Sequence, residues 1–219
     1  MFEYKGIIVR WYGHDTFTLE KRGITICIDP YKLSRSIHAN IILISHNHFD
    51  HLSLDDLRKI SSPNTIIVAA NECISQLSKI PSKERIGLVP GQEKTLSDVK
   101  IKAIFAYNIN KINPDTRKPF HPKEDNKIGF LVNMGGISVY HTGDSDLIPE
   151  MTDLKPDILL APVSGTYVMT AKEAAEAVEK IKPKVAIPMH YGTIVGSETD
   201  AKEFKNMVKS CEVQILTKE

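Results

Sequence analysis

The sequence predicts an α/β protein in which sets of strands are followed by helices twice along the chain. Short β-branched runs bounded by turn residues predict the strands, and apolar residues at helical spacing predict the helices. The length of 219 residues and the hydrophobic content of 42% suffice for a substantial buried core. We therefore expect residues 1–219 to form a single domain.

The predicted elements of the first part of the chain are mainly strands. Residues 24–28 and 41–44 are apolar at nearly every position, which indicates strands that are covered on both faces. Pro30 ends the first of them, and Ser53 can cap a helix that reaches Lys59 or Ile60. The other elements predicted here are strands at 7–12, 16–20 and 65–69, a short helix at 72–79 and three strands between 84 and 106.

The second part of the chain contains a hairpin, two helices and three further strands. The hairpin joins residues 128–133 to 137–140 around Gly135-Gly136. Thr170 and Glu173 have the spacing of a capping box for a helix that ends near Lys182. The remaining predicted elements are strands at 157–161, 184–188 and 213–216 and a helix near 200–209.

Composition limits the partners and the compartment. The net charge of +1, from 28 basic and 27 acidic residues, argues against nucleic acid and against an anionic membrane surface. Three widely spaced cysteines, Cys27, Cys73 and Cys211, argue against a disulfide framework and favour the reducing cytoplasm. No signal peptide or membrane span is expected. A small-molecule substrate is the expected partner. A homo-oligomer is compatible with the sequence.

A cluster of potential metal ligands follows the strand at 41–44. His46, His48, Asp50 and His51 have the spacing H-x-H-x-D-H, and imidazole and carboxylate groups both suit zinc. His46 and His48, two apart on an extended segment, point the same way and can share one ion. Asp50 and His51 follow at a turn, where they can reach a second ion. The competing interpretation is a polar loop with incidental histidines.

Two later residues also follow predicted strands. Asp144 comes after residues 139–143, where Gly143 permits a sharp bend, and His190 comes after residues 186–189. A two-metal hydrolytic site needs such further ligands, including one that bridges the ions. These two residues are therefore candidates for completing the site.

Five segments in the same order resemble the metallo-β-lactamase superfamily. The H-x-H-x-D-H cluster resembles its metal-binding motif, and four other segments resemble its branch of ascorbate-6-phosphate-lactonase-like and metal-dependent hydrolases. These four are Trp11–Phe17 (similar to W-x-G-H-[S/A]-x-F), 26–30 (similar to I-L-I-D-P), 140–144 (Y-H-T-G-D) and 188–192 (P-M-H-Y-G). The resemblance implies a four-layer αββα sandwich of two mixed sheets. It also implies two zinc ions per chain, with manganese or another divalent metal as the alternative.

The resemblance also implies roles for individual residues. His46 and His48 would bind the first metal, Asp50, His51 and His190 the second, and Asp144 would bridge them. Asp50 would also orient the attacking water and accept its proton. Asp29 would form hydrogen bonds to the loop that carries His46, His48, Asp50 and His51. His14 would either line the pocket or be a satisfied histidine at a strand end.

The expected activity is metal-dependent hydrolysis of a small ester-like substrate, either a lactone or a phosphodiester. Metal-activated water would be the nucleophile, because no G-x-S-x-G segment suggests a serine nucleophile. The alternative is a non-catalytic metal-binding protein with a decayed active site.

One position departs from the family pattern. Where the superfamily supplies a further histidine, this chain has Asn108, and an amide oxygen is a poor zinc ligand. Three interpretations follow. In the first, His121 replaces the missing ligand. In the second, the first site is weak or takes a harder metal. In the third, a single ion is held by Asp50, His51, Asp144 and His190.

Residues 109–127 form a long segment with three prolines and almost no periodicity. A loop of this length inside a small domain is usually functional or disordered. We interpret it either as a flap over the active site, with basic residues for an anionic substrate group, or as a solvated loop without a substrate role.

Overall fold

Two units of the chain are each built on a seven-stranded mixed sheet. The computed structural model describes residues 1–219, of which Met1–Val89 and Leu216–Glu219 form unit 1 and Pro90–Ile215 forms unit 2. In both sheets the strands lie side by side in sequence order. No helix is long and apolar enough to span a lipid bilayer.

Unit 1 begins with antiparallel strands and continues with parallel ones. The pairs from β1 to β4 are antiparallel and the pairs from β4 to β7 are parallel. The strands are β1 (Phe2–Tyr4), β2 (Ile7–Gly13), β3 (Thr16–Lys21), β4 (Ile24–Ile28), β5 (Ile41–Ile44), β6 (Ile66–Ala70) and β7 (Glu84–Leu88). All four residues of β5 are buried, as the unbroken apolar run predicts.

The helical segments of unit 1 lie between its parallel strands. Helix α1 (Leu54–Ile60) begins after Ser53, whose side chain accepts a hydrogen bond from the backbone N–H of Asp56. A 3-10 helix covers Asn71–Lys79, where the sequence predicted a short helix of unspecified type. The end of the chain belongs to this unit, because the backbone N–H of Glu219 donates to the carbonyl of Trp11.

Unit 2 repeats the same pattern of pairing. The pairs from β8 to β11 are antiparallel and those from β11 to β14 are parallel. The strands are β8 (Glu93–Leu96), β9 (Val99–Phe105), β10 (Ile128–Met134), β11 (Ile137–His141), β12 (Ile158–Pro162), β13 (Val185–Met189) and β14 (Glu212–Val213). Every residue of β12 and β13 is buried. Strand β14, which was expected at 213–216, is shorter and begins one residue earlier.

The two helices of unit 2 follow strands β12 and β13. Helix α2 (Ala171–Ile181) starts with the predicted capping box of Thr170 and Glu173. Helix α3 (Glu198–Met207) starts earlier than predicted, because Ser197 and Asp200 form a second capping box. Within residues 109–127, one isolated bridge pairs Ile112 with Pro119, and a short 3-10 helix spans Lys123–Asp125.

The predicted fold class is therefore confirmed as an α/β fold with two mixed sheets. The elements for which sequence reasoning failed are short ones. Strand β1 has only three residues and forms through its pairing with β2, in which Phe2 lies opposite Val9. A strand of that length has too few positions to show an alternating pattern.

Candidate metal centre

The ligand loop, residues 45–52, directly follows the buried strand β5. Its shape is fixed by backbone hydrogen bonds from His51 and Leu52 to the carbonyl of His48, at 3.0 and 2.8 Å. The side chains of His46 and His51 are almost fully buried, whereas 14% of the Asp50 side chain is exposed. An apolar strand therefore delivers four potential ligands to one tight turn.

Asp29 supports this loop from the end of the adjacent strand β4. Strands β4 and β5 are parallel, with Ile28 opposite Leu43, so the residues that follow each strand are neighbours. One Asp29 carboxylate oxygen accepts from the backbone N–H of Ser45 at 2.8 Å. The other accepts from the Ser45 hydroxyl at 2.6 Å and from His51 Nδ1 at 2.8 Å. The hydrogen bond from His51 to Asp29 keeps the proton of the imidazole on Nδ1 and leaves Nε2 with a lone pair for a metal.

Ser45 extends the same control to His46. Because its hydroxyl proton is donated to Asp29, the hydroxyl oxygen can accept from His46 Nδ1, which lies 2.9 Å away. The Nε2 atom of His46 then faces Nδ1 of His48 at 3.1 Å. Two imidazole nitrogens at that separation are arranged as ligands of one ion would be. Sequence reasoning missed Ser45, since a serine beside a histidine carries no spacing signal.

His14 lies against Asp50 within unit 1. It is 1% exposed, and its Nε2 atom is 3.0 Å from Oδ2 of Asp50. The backbone at His14 has φ = 52°, a left-handed conformation that is uncommon outside glycine. Residues held in such a conformation often occur at functional sites. The imidazole therefore fixes the position of a carboxylate in the ligand loop.

In unit 2, Asp144 lies between two histidines. Its Oδ2 atom is 3.3 Å from Nε2 of His190 and 3.4 Å from Nε2 of His121. Ligand atoms bound at 2.0–2.1 Å to one tetrahedral ion are separated by about 3.3 Å. One carboxylate oxygen at this distance from two imidazole nitrogens is placed as a bridging ligand would be. Gly143, with φ = 60°, provides the bend that places Asp144 after β11.

Asn108 orients His121 through its side-chain oxygen. The Asn108 Oδ1 atom lies 2.9 Å from both the backbone nitrogen and the ring Nδ1 of His121. Its Nδ2 group donates to the carbonyl of Tyr167 at 2.9 Å, which assigns the oxygen to the histidine side. The amide oxygen therefore accepts a hydrogen bond from Nδ1 of His121. The other ring nitrogen, Nε2, then carries no proton and faces Asp144.

The other two histidines of unit 2 have different surroundings. His190 follows the buried strand β13, and its Nδ1 atom is 2.8 Å from the Ser164 hydroxyl. His141 is fully buried, and its Nδ1 atom accepts from the backbone N–H of Gly143 at 3.1 Å. His190 is thus held with its other nitrogen towards Asp144, whereas His141 stabilises the turn before Asp144. Sequence reasoning missed Ser164, because it lies 26 positions from His190 in the chain.

The start of the 109–127 segment is tightly held within unit 2. One oxygen of the buried Asp146 accepts from the backbone N–H groups of Ile109 and Asn110 at 2.7 and 3.1 Å. Lys111 lies between Asp146 and Glu173, with Nζ at 3.3 and 2.8 Å from their nearest oxygens. Burial alone raises the pKa of Glu173, but its hydrogen bonds from Lys111, Thr170 and Asn110 outweigh this and lower the pKa to about 2. The segment that carries His121 therefore starts from a rigid base.

The donor atoms fit a divalent metal. Each unit contains a cluster of imidazole and carboxylate groups, and most of these histidines have one ring nitrogen beside a neighbouring oxygen. Such supporting bonds are typical of metal-binding histidines. The three cysteines are not among the donors, and burial raises the pKa of the Cys27 thiol.

Comparison with known proteins agrees with this class of site. Residues 8–190 match a family model described as "Beta-lactamase superfamily domain", and the chain belongs to this superfamily. A UPF0173 protein of Pyrococcus furiosus is 32% identical, covering 95% of this chain and 94% of the relative. A relative from Archaeoglobus fulgidus, named UPF0173 metal-dependent hydrolase, is 31% identical over 92% of this chain and 90% of its own length.

Solved structures show the same fold. A protein from Parabacteroides distasonis, described as a metal-dependent hydrolase, superposes with a TM-score of 0.80 at 30% identity, covering 96% of this chain and 94% of that one. Igni18 from Ignicoccus hospitalis, described as a metallo hydrolase, gives a TM-score of 0.76 at 25% identity, with the same coverage. The superfamily predicted from five sequence segments is therefore confirmed.

Proposed function

We propose that this chain is a metal-dependent hydrolase of small ester-like substrates. The position of Asp144 is the observation that carries the proposal. A single buried oxygen that lies 3.3 and 3.4 Å from two imidazole Nε2 atoms suits a bridge between two cations. The membership in the superfamily and the relatives named metal-dependent hydrolases support the same activity.

The proposed ligands are the residues that the sequence predicts. They are His46, His48, Asp50, His51, Asp144 and His190, with His121 as the seventh. The match to the family model over residues 8–190 includes segments of both units. For the same reason we propose that residues 1–219 act as one domain, with 109–127 as an active-site flap. Two zinc ions per chain are the proposed cofactor, with manganese as the alternative.

In this proposal His121 takes the role that the family assigns to the histidine missing at position 108. Its Nε2 atom is directed towards Asp144, and Asn108 acts behind it as the hydrogen-bond acceptor. The amide thus supports a ligand instead of serving as one. This arrangement favours an intact site over a decayed one.

The residues of unit 1 supply the proton chemistry. Divalent ions, when bound, would lower the pKa of water and polarise the oxygen of the scissile group. The carboxylate of Asp50 would accept the proton of the attacking water and return it to the leaving group. His14, 3.0 Å from that carboxylate, would hold it in one orientation and stabilise it before and after the transfer.

The surroundings of the ligand loop favour a substrate with an apolar part. Phe49 lies between His48 and Asp50, is 68% exposed, and contacts the edge of Tyr31 at 5.9 Å between ring centroids. Lys32 lies over the Tyr31 ring. An aromatic surface with a nearby ammonium group suits an ester or lactone that carries both an apolar group and a negative charge.

Metal stoichiometry tests the ligand set most directly. Plasma mass spectrometry on the purified protein and on His121→Ala should give two equivalents falling to about one, because the variant lacks a ligand of one ion only. His38→Ala is the matched control, since His38 is exposed and outside both clusters. Two equivalents in all three proteins would remove His121 from the ligand set.

Hydrolysis separates the enzyme from a non-catalytic metal-binding protein. Bis(p-nitrophenyl) phosphate and simple lactones are incubated with protein and added zinc or manganese, and Asp50→Ala is measured in parallel. The proposed function requires turnover that Asp50→Ala abolishes. Equal signals from both proteins would leave only metal binding.

A further inference from the structure

A second carboxylate lies beside His51 and is outside the ligand motif. Asp15 is fully buried, and its Oδ2 atom is 3.5 Å from Nε2 of His51, also fully buried. Where the family segment similar to Trp11–Phe17 has serine or alanine, this chain has aspartate. A buried charge is costly unless it is paired or coordinates a metal.

The hydrogen bonding of His51 decides what can lie between these two atoms. Its Nδ1 atom donates to Asp29 at 2.8 Å, so the neutral ring presents a lone pair at Nε2. The Asp15 oxygen that faces it is also an acceptor. Two acceptors facing each other repel unless a cation lies between them, either a proton on Nε2 or a metal ion.

The distance favours the metal ion. Hydrogen bonds from nitrogen to oxygen are about 2.7–3.2 Å long, which is shorter than the observed 3.5 Å. Two ligand atoms of one tetrahedral ion are separated by about 3.3 Å. In unit 2, the bridging candidate Asp144 lies at a similar distance, 3.3 Å, from His190.

We propose that Asp15 is an additional metal ligand that shares an ion with His51. The inference rests on the proposed function, since it adds a ligand to the same metal site. An extra carboxylate makes the position beside His51 richer in hard oxygen donors, which shifts its preference towards manganese relative to zinc. Asp15 thereby supplies this chain with a donor that the H-x-H-x-D-H motif does not contain.

The experiment compares Asp15→Asn and Asp15→Ser with a buried carboxylate that has a structural role. Asp56 is 4% exposed and lies in the same unit, where it accepts hydrogen bonds from Lys59, Ser53 and two backbone N–H groups. Burial raises the pKa of Asp56, but these bonds outweigh it and lower the pKa below its usual value. Asp56→Asn is therefore the matched control.

Two quantities are measured on the full-length protein. Manganese and zinc affinities are obtained by competition with a chromogenic chelator, and the melting temperature is measured for metal-free protein. Both Asp15 variants should weaken the affinity for the ion beside His51 by about 100-fold, with the larger loss for manganese. The melting temperature of metal-free protein should stay close to that of wild type in both Asp15 variants, because the proposed role of this carboxylate is to hold the ion. Asp56→Asn should lower the melting temperature and leave the affinities unchanged.

The opposite results overturn the inference. Metal affinities within twofold of wild type, with a lower melting temperature of the metal-free protein, would make Asp15 a structural partner of a protonated His51. Equal losses for both ions would remove the shift towards manganese. Wild-type protein that binds neither ion would overturn the proposed function itself, so the two failures are distinguished by the wild type alone.

Discussion

The two units share one strand order but distribute their candidate ligands differently. In unit 1, four candidate ligands follow the single strand β5, within residues 46–51. In unit 2, Asp144 follows β11, His190 follows β13, and His121 lies in the long segment between β9 and β10. The same architecture can therefore present ligands either from one loop or from three separate segments.

The supporting hydrogen bonds differ in the same way. In unit 1, Asp29 accepts from both Ser45 and His51, and Ser45 in turn contacts His46. In unit 2, each histidine has its own support, Asn108 for His121 and Ser164 for His190. A change in the support of unit 1 should consequently affect several ligands, and a change in unit 2 only one.

The largest effect is expected at Asp144, whose carboxylate oxygen lies near two histidines. Asp144→Ala removes the oxygen shared by His121 and His190, and hydrolysis should fall by on the order of 10³-fold with fewer than two bound metals. Activity and metal content are measured together. Asp153→Ala, an exposed aspartate of the same unit, should match wild type. Retention of two metals in Asp144→Ala would contradict the bridging role.

Asp29 and Ser164, whose side chains form hydrogen bonds to candidate ligands, provide the next comparison. Asp29→Asn should weaken metal binding by about 10–100-fold and also destabilise metal-free protein by about 1–3 kcal/mol, because an NH₂ group replaces one of the two oxygens that accept from Ser45 and His51. Ser164→Ala should weaken binding of one ion only, with a smaller effect on stability. Chelator competition and urea unfolding measure the two effects. Equal outcomes for both variants would show that support is not concentrated in unit 1.

A smaller effect is expected at the residue that departs from the family pattern. Asn108→Ala should weaken metal binding by about 10-fold, since His121 loses the acceptor that fixes its Nδ1 proton. Asn108→Asp retains an acceptor there and should restore most of the affinity. The ¹⁵N chemical shifts of His121 in metal-free protein report the tautomer directly. An unchanged tautomer in Asn108→Ala would show that Asn108 does not control it.

The smallest effect concerns the base of the 109–127 segment. The folded-state pKa of Glu173 is lowered to about 2, so its contribution to stability is fully present above the unfolded value near 4.5. That contribution is lost as the pH falls from 4.5 through 2. Glu173→Gln should therefore be less stable than wild type at pH 6, by about 1 kcal/mol or less for this partly exposed group, and the difference should shrink at pH 3. Urea unfolding at both pH values measures it, and a constant difference would refute the ionic contribution.

Local patterns in the sequence were sufficient for most of the elements. The strands at Ile24–Ile28 and Ile41–Ile44 are found with the predicted bounds, because continuous apolar runs of this length leave few alternatives. The capping box of Thr170 and Glu173 also formed as predicted. The start of α3 was missed because its cap, Ser197, precedes the apolar pattern that marked the helix.

The sequence by itself determined the superfamily, the ligand loop and the strand that precedes it. Each was predicted from short segments, in which the spacing of neighbouring residues expresses the geometry of one strand and one turn. Tertiary structure decided which nitrogen each histidine presents, since that depends on oxygens of Asp29, Asn108 and Ser164 supplied by other segments. It also brought His121 to Asp144 across 23 positions and Asp15 to His51 across 36. Distances in space between residues so far apart in the chain are set by strand pairing and loop paths, which no local spacing records.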